Sequence, residues 1–351
     1  MKEVRSLLAD ISRPIDYDLL IQLANPNRVT PLLYKNLSAR PDVPFEIMER
    51  LRTHYIKTVQ RNAAHLEETL QIVEILRRAG IRSIPLKGSF AAETLLGDMG
   101  LYPTSDIDLL VRWDDLKKAR ESLLTSGYHI STVISEQDQL EGSYHLYFHK
   151  ATTTIELHWN LVRRYFDVSP DYWWEDIHEM IFRALTITAL SNEKYLLYLI
   201  FRLFSKSFLP LHHIVLMPAI ISQKFDWEKF MASAGHLKMK RLSLFTLKLL
   251  HDSIGIDIPK SITQKQIIGY EFLRRFILRG FFAKDSKPHL RMAVLLLLLD
   301  SPLEILKAFI FRLFPRMAEI RLRYNIPRGS LKILPYYLLN PILMLFKKTK
   351  Q

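Results

Sequence analysis

Two carboxylates stand one residue apart in Pro103-Thr104-Ser105-Asp106-Ile107-Asp108-Leu109-Leu110-Val111, a run otherwise suited to a buried strand. Alternate side chains of a strand share a face, so Asp106, Asp108 and Leu110 lie together while Ile107, Leu109 and Val111 turn to the core. Like charges on one face repel unless a cation lies between them. Oxygen-only ligands suit Mg²⁺ (or Mn²⁺), which takes one or two carboxylates together with substrate phosphate oxygens. A third carboxylate follows in Thr154-Ile155-Glu156-Leu157-His158-Trp159. Glu156 and His158 share the face opposite Ile155, Leu157 and Trp159. Glu156 completes a site with Asp106 and Asp108 if the two strands are neighbours. Three carboxylates can hold two divalent ions around an in-line phosphoryl displacement.

Lys87-Gly88-Ser89 ends a short β-type run, 81–86, and opens a helical stretch, 90–96. Glycine lets the backbone approach a phosphate, a serine hydroxyl and helix N-terminal amides donate to it, and Lys87 adds charge. The G-x-x-x-x-G-K-[ST] pattern of a P-loop is absent. His158 is placed to orient Glu156 or to touch phosphate, and His145 and His149 precede it on another candidate strand. Each piece alone has an ordinary explanation. An Asp-x-Asp is commonly a solvated strand end, a Gly-Ser a turn, a strand histidine a satisfied rim residue. The order of the pieces carries the reading.

Stepping along the chain, 64–78 carries an apolar stripe of Leu66, Leu70, Val73 and Leu76, closed by Gly80. Residues 97–104 read as a loop and 106–112 as a strand. A helix then opens on Asp114-Asp115 and ends at Gly127. Residues 144–149 and 153–159 read as two strands joined at 150–152. From Ser191 the pattern is helical nearly to the end. The fold class expected is α+β: a small α/β sheet unit at 80–165, between a helical N-terminal segment at 1–79 and a C-terminal helical domain with a basic tail at 166–351.

Leu86-Lys87-Gly88, the 103–111 run, Gly127-Tyr128 and Glu156-Leu157-His158-Trp159 together resemble the uncharacterised bacterial nucleotidyltransferase family of the DNA polymerase β-like superfamily. The likeness is strongest over 80–165, and looser around Asp226-Trp227 and 315–324. It implies metal-dependent transfer of an NMP group from an NTP, ATP by default, with release of pyrophosphate. Gly88 and Ser89 would hold the triphosphate. Asp106 and Asp108 would bind metal, and Glu156 would take the third-carboxylate role. His145 also resembles a family histidine. Two departures stand out: Tyr102 where members commonly carry an arginine, in an Arg-Pro-x-x-Asp pattern, and Pro218 where relatives often carry an aspartate.

The chain has 351 residues, no cysteine and a formal net charge of +13. Disulfide frameworks, thiolate zinc sites and cysteine nucleophiles are excluded, and a cytoplasmic location is expected, since the charged N-terminus lacks a signal-peptide core. From Ser301 on, ten Lys or Arg face two Glu, so the basicity belongs mainly to the C-terminus. Apolar stretches there, beside that charge, raise peripheral contact with an anionic membrane; helices packed on the core with a basic outer face are the plainer expectation. The acceptor is open: a small molecule, a peptide, a protein or a nucleic-acid end. The alternatives are a non-catalytic nucleotide- or membrane-binding homologue and, against the chain order, an Asp-x-Asp glycosyltransferase. Trp173-Trp174 are expected to pack a linker onto the sheet unit, and His212-His213 to sit on a helix surface.

Overall fold

The computed structural model describes residues 15–130, 135–282 and 294–346; the charged N-terminus at 1–14 and the terminal lysines 347, 348 and 350 lie outside them. Helices α1 (Tyr17–Ala24) and α2 (Thr30–Leu37) pack on the first turns of α3 (Phe45–Arg78). Leu66, Leu70, Val73 and Leu76 of α3 are all buried, as the stripe requires. The helix ends where expected. Gly80 takes φ +71°, its N–H reaches Arg77 O, and Ile81 N–H reaches Leu76 O, the paired bonds of a glycine cap.

A five-stranded sheet follows: β1 (Ser83–Pro85), β2 (Ile107–Val111), β3 (His129–Ile130), β4 (His145–Lys150) and β5 (Thr153–His158), in the order β1-β2-β5-β4-β3. β2 and β5 run parallel; the other pairs are antiparallel. The class is α+β, as expected. Ile107, Leu109, Val111, Ile155 and Leu157 form one apolar face that packs on α3 and on α4 (Leu116–Thr125). The other face carries the polar side chains and turns towards α6 (Asn192–Ser205), whose buried residues share a core cluster with Leu86, Tyr102 and Leu110. Helix α5 (Glu136–Gly142) bridges β3 and β4.

The segment between the sheet and Ser191 differs from a plain linker. His178–Phe182 and Leu185–Ala189 form a hairpin, β6–β7, beside β1. Its two turn residues, Arg183 and Ala184, both have positive φ. Such turns favour Asn-Gly or Gly, and Arg-Ala carries no turn signal. Trp173 and Trp174 are buried as packing residues, and Trp173 Nε1 donates to Asn160 Oδ1 at 2.9 Å.

The C-terminal half adds α7 (Leu216–Ile221), α8 (Trp227–His236), α9 (Lys240–Ile254), α10 (Tyr270–Phe282), α11 (Pro302–Leu313), α12 (Met317–Tyr324) and α13 (Ile333–Phe346). Helix α13 continues through Pro341 rather than breaking there. The expected basic outer face is not what α11 and α13 present. Leu303, Leu306, Phe309, Leu334, Leu338 and Ile342 are exposed. Part of the basic charge turns inward: Arg321 Nε donates to Asp138 Oδ1 at 2.6 Å, and Arg328 Nε to the same atom at 3.1 Å.

Candidate active site

β2 and β5 are direct neighbours, and their register pairs Asp108 with Glu156 and Leu110 with His158. The register of β4 places His145 opposite His158 and Tyr147 opposite Glu156. Paired residues share a face. One face of the sheet therefore carries Asp108, Glu156, His158 and His145 in a row. Asp106 sits one residue before β2, tied by Ser105 Oγ donating to its Oδ1 at 3.3 Å. Carboxylate oxygens of Asp106, Asp108 and Glu156 lie within 4.8 Å of one another.

β1 delivers the Gly-Ser bend to the same place. Leu86 N–H donates to Asp108 O at 3.0 Å, extending the ladder one residue past β1. Gly88 follows at φ +80°, and a Cβ there would stand 3.1 Å from Thr104 Oγ1 and 3.6 Å from Asp106 O. No other residue fits that approach without strain. Ser89 is buried at the start of the next helical turn.

The cation that the paired aspartates need is supplied by the chain itself. The Lys87 ammonium lies 3.3 Å from Asp106 Oδ2 and also pairs with Asp108 Oδ2. His158 Nε2 lies 3.1 Å from Asp108 Oδ1 and 3.3 Å from Glu156 Oε2. Burial favours the neutral form of Lys87, Asp108 and His158. For Lys87, Asp108 and Asp106 outweigh it and hold the ammonium above its ordinary value. For Asp108, the charge of Lys87 outweighs it, with His158 adding to the lowering. For His158, hydrogen bonds to Asp108 and Glu156 outweigh it, and its pKa is raised. His145 goes the other way: burial first, then the charge of His158, push it down to about 3. His149 is apart from this group, against Thr154 at 3.3 Å.

Helix α6 contributes residues that the sequence reading passed over. Tyr195, Tyr198 and Arg202 recur at helical spacing on one side of α6. Half-buried Arg202 is lowered by desolvation but raised overall by Tyr198, Tyr144, Asp108 and Glu156, which places it within electrostatic reach of the carboxylates. Its Nε and the hydroxyls of Tyr195 and Tyr198 are buried without a hydrogen-bond partner. The available signal was an arginine and two tyrosines in the otherwise apolar run 195–204. Tyr102, at the position where the family pattern has arginine, is buried, with its hydroxyl 3.3 Å from His213 Nδ1. His212 and His213 are buried too, rather than on a helix surface.

The oxygen donor set fits a hard divalent ion by its chemistry: three carboxylates and no sulfur. A sheet with an Asp-x-Asp strand, a neighbouring third carboxylate and a Gly-Ser bend against both defines the nucleotidyltransferase class. The family described as "Uncharacterised nucleotidyltransferase" matches residues 13–255, and the chain belongs to it. Membership carries nucleotidyl transfer as the reaction class and an NTP as substrate. No curated protein and no solved structure matches the chain.

Proposed function

We propose that the protein moves an NMP group from an NTP, ATP by default, onto a hydroxyl of its acceptor, with pyrophosphate leaving. Asp106, Asp108 and Glu156 would hold Mg²⁺ or Mn²⁺. Such an ion neutralises the carboxylates and stabilises charge on the attacking and leaving oxygens. Gly88 and the amides around Ser89 receive the triphosphate. Lys87 and Arg202 supply the positive charge that Tyr102 cannot. Glu156 either ligates the ion or takes the proton of the acceptor hydroxyl, and His158 holds Glu156 in place. On this reading residues 1–79 brace the sheet unit at 80–165, and the helices of 166–351 shape the acceptor side.

The observation that supports this most is the convergence of the three carboxylates beside the Gly88 bend. The test is incubation with labelled NTPs and Mg²⁺ or Mn²⁺, with pyrophosphate as readout. Turnover lost in Asp106→Asn, Asp108→Asn and Glu156→Gln is the expected result. Turnover of a UDP-sugar instead would point to glycosyl transfer. Nucleotide binding that persists in Asp108→Ala, with no turnover in the parent, would leave a non-catalytic binder.

A second, separate reading concerns location. The exposed apolar side chains of α11 and α13, with Lys307, Arg316 and Lys332 nearby in sequence, suit peripheral contact with an anionic membrane of the cytoplasmic face. No helix among the described residues is long and apolar enough to cross a membrane. Co-sedimentation with phosphatidylserine vesicles, lost on Leu338→Glu or in high salt, tests it; equal recovery with neutral vesicles counts against it.

A further inference from the structure

The row of side chains does not end at the carboxylates. Across the β4–β5 ladder, the His145 and His158 rings stand 4.9 Å apart between centroids. One ring nitrogen of each and one oxygen of Glu156 lie within 4.8 Å of one another. This is a two-nitrogen, one-oxygen donor set, distinct in chemistry from the all-oxygen set beside it. A second observation points to a ligand. His158 is 1 % exposed, yet its Nδ1 has no hydrogen-bond partner. A buried imidazole nitrogen left unsatisfied is costly unless something occupies it.

We propose that His145, Glu156 and His158 form a second divalent-cation site, of the class that accepts imidazole nitrogen, Zn²⁺ or Co²⁺, sharing Glu156 with the oxygen site. The inference deepens the proposed function and rests on it for the role of Glu156. Softness separates the two sites: imidazole suits Zn²⁺ and Co²⁺, while carboxylate, phosphate and water suit Mg²⁺. The strand register fixes the arrangement, because His145 and His158 are paired residues on a rigid hairpin. With Glu156 the pair gives three protein ligands and leaves positions open to substrate.

The experiment is titration of the metal-free full chain with Co²⁺ in saturating Mg²⁺, read by visible d–d absorption. One equivalent of Co²⁺ with a nitrogen-ligand spectrum is expected. His145→Ala should weaken it by at least about tenfold while leaving Mg²⁺ affinity unchanged. Asp106→Asn should do the reverse, since Asp106 belongs only to the oxygen set. His145→Phe, which keeps the ring volume, serves if the alanine variant unfolds. Co²⁺ affinity unmoved by either His145 variant overturns the proposal, as does Co²⁺ displaced fully by Mg²⁺. The two readings fail separately. A chain that turns over no NTP but binds Co²⁺ through His145 sinks the proposed function and keeps this site. Turnover with Mg²⁺ and no His145-dependent Co²⁺ does the opposite.

Discussion

The Lys87 ammonium stands 3.3 Å from Asp106 Oδ2 while also pairing with Asp108, so one lysine bridges both aspartates of the Asp-x-Asp. Lys87 and Asp108 are both buried. Removing one partner of a buried ion pair leaves an uncompensated charge. Lys87→Met should therefore lower the stability of the metal-free protein by about 3–5 kcal/mol. A divalent ion bound to the oxygen set would take over the neutralising role. Mg²⁺ should then raise the melting temperature of Lys87→Met more than that of the parent. Thermal unfolding of both proteins with and without Mg²⁺ checks this; equal shifts would mean that the lysine and the ion do not share the site.

Arg202 offers a different balance. Its Nε is buried without a hydrogen-bond partner, so substitution breaks no hydrogen bond at that atom. Its place near Asp108 and Glu156 makes it useful to a triphosphate instead. Arg202→Met should leave unfolding midpoints nearly unchanged. It should weaken NTP binding by roughly 10- to 100-fold, the worth of a charge-assisted hydrogen bond of about 1.5–3 kcal/mol. Arg202→Lys should restore part of the loss. Nucleotide titration followed by calorimetry measures both. A large fall in stability without a fall in affinity would make Arg202 a structural residue.

What the sequence disclosed and what it hid follow from the range of the forces involved. The carboxylate face of β2 and β5 was legible because period-two alternation is a local property: Ile107 and Leu109 bury on one side, so Asp108 must face the other. The cap at Gly80 was legible for the same reason. Arg202 was not, because only the packing of α6 over the sheet brings it near Asp108, and nothing within α6 shows that. The β6–β7 hairpin was hidden by its turn, in which Arg183 and Ala184 adopt backbone angles that glycine usually supplies. His212 and His213 read as surface residues by polarity, yet ring contacts with each other and with Tyr102 bury them. The C-terminal helices were read by composition, which cannot say which face of α11 or α13 is left uncovered.

The charges of the site also set a pH window. His158 has a raised pKa in the folded chain, since its carboxylate partners outweigh burial. Its stabilisation is full below its unfolded value of about 6.5 and is lost as pH rises through the raised value. Asp108 and Glu156 are held low, by Lys87 and His158 respectively, against burial. Their contribution is full above the ordinary carboxylate range, about 4 to 4.5, and is lost as pH falls through the depressed values. The metal-free protein should be most stable between roughly pH 5 and 6.5. His158→Gln should flatten the alkaline decline and, since Glu156 loses the partner that holds it low, keep only the Asp108 part of the acid one. Urea midpoints from pH 3 to 9 would reveal it; an unchanged alkaline limb in the variant assigns that limb to another group.

The docking of α12 depends on one small residue. A Cβ at Gly142, the last residue of α5, would stand 2.8 Å from Glu319 N and 2.9 Å from Ala318 C. Both are backbone atoms of α12, which cannot turn aside as a side chain can. Gly142→Ala gains up to about 1 kcal/mol of helix propensity within α5. The backbones must nonetheless move apart, loosening the contacts of Arg321 and Arg328 with Asp138. Overpacking of this kind costs about 1–3 kcal/mol, so the variant should be destabilised despite its better helix former. Hydrogen exchange should show faster opening of α12 and α13 with β2 and β5 unaffected. A Gly142→Ala protein as stable as the parent, with α12 equally protected, would mean that the two helices have room to adjust.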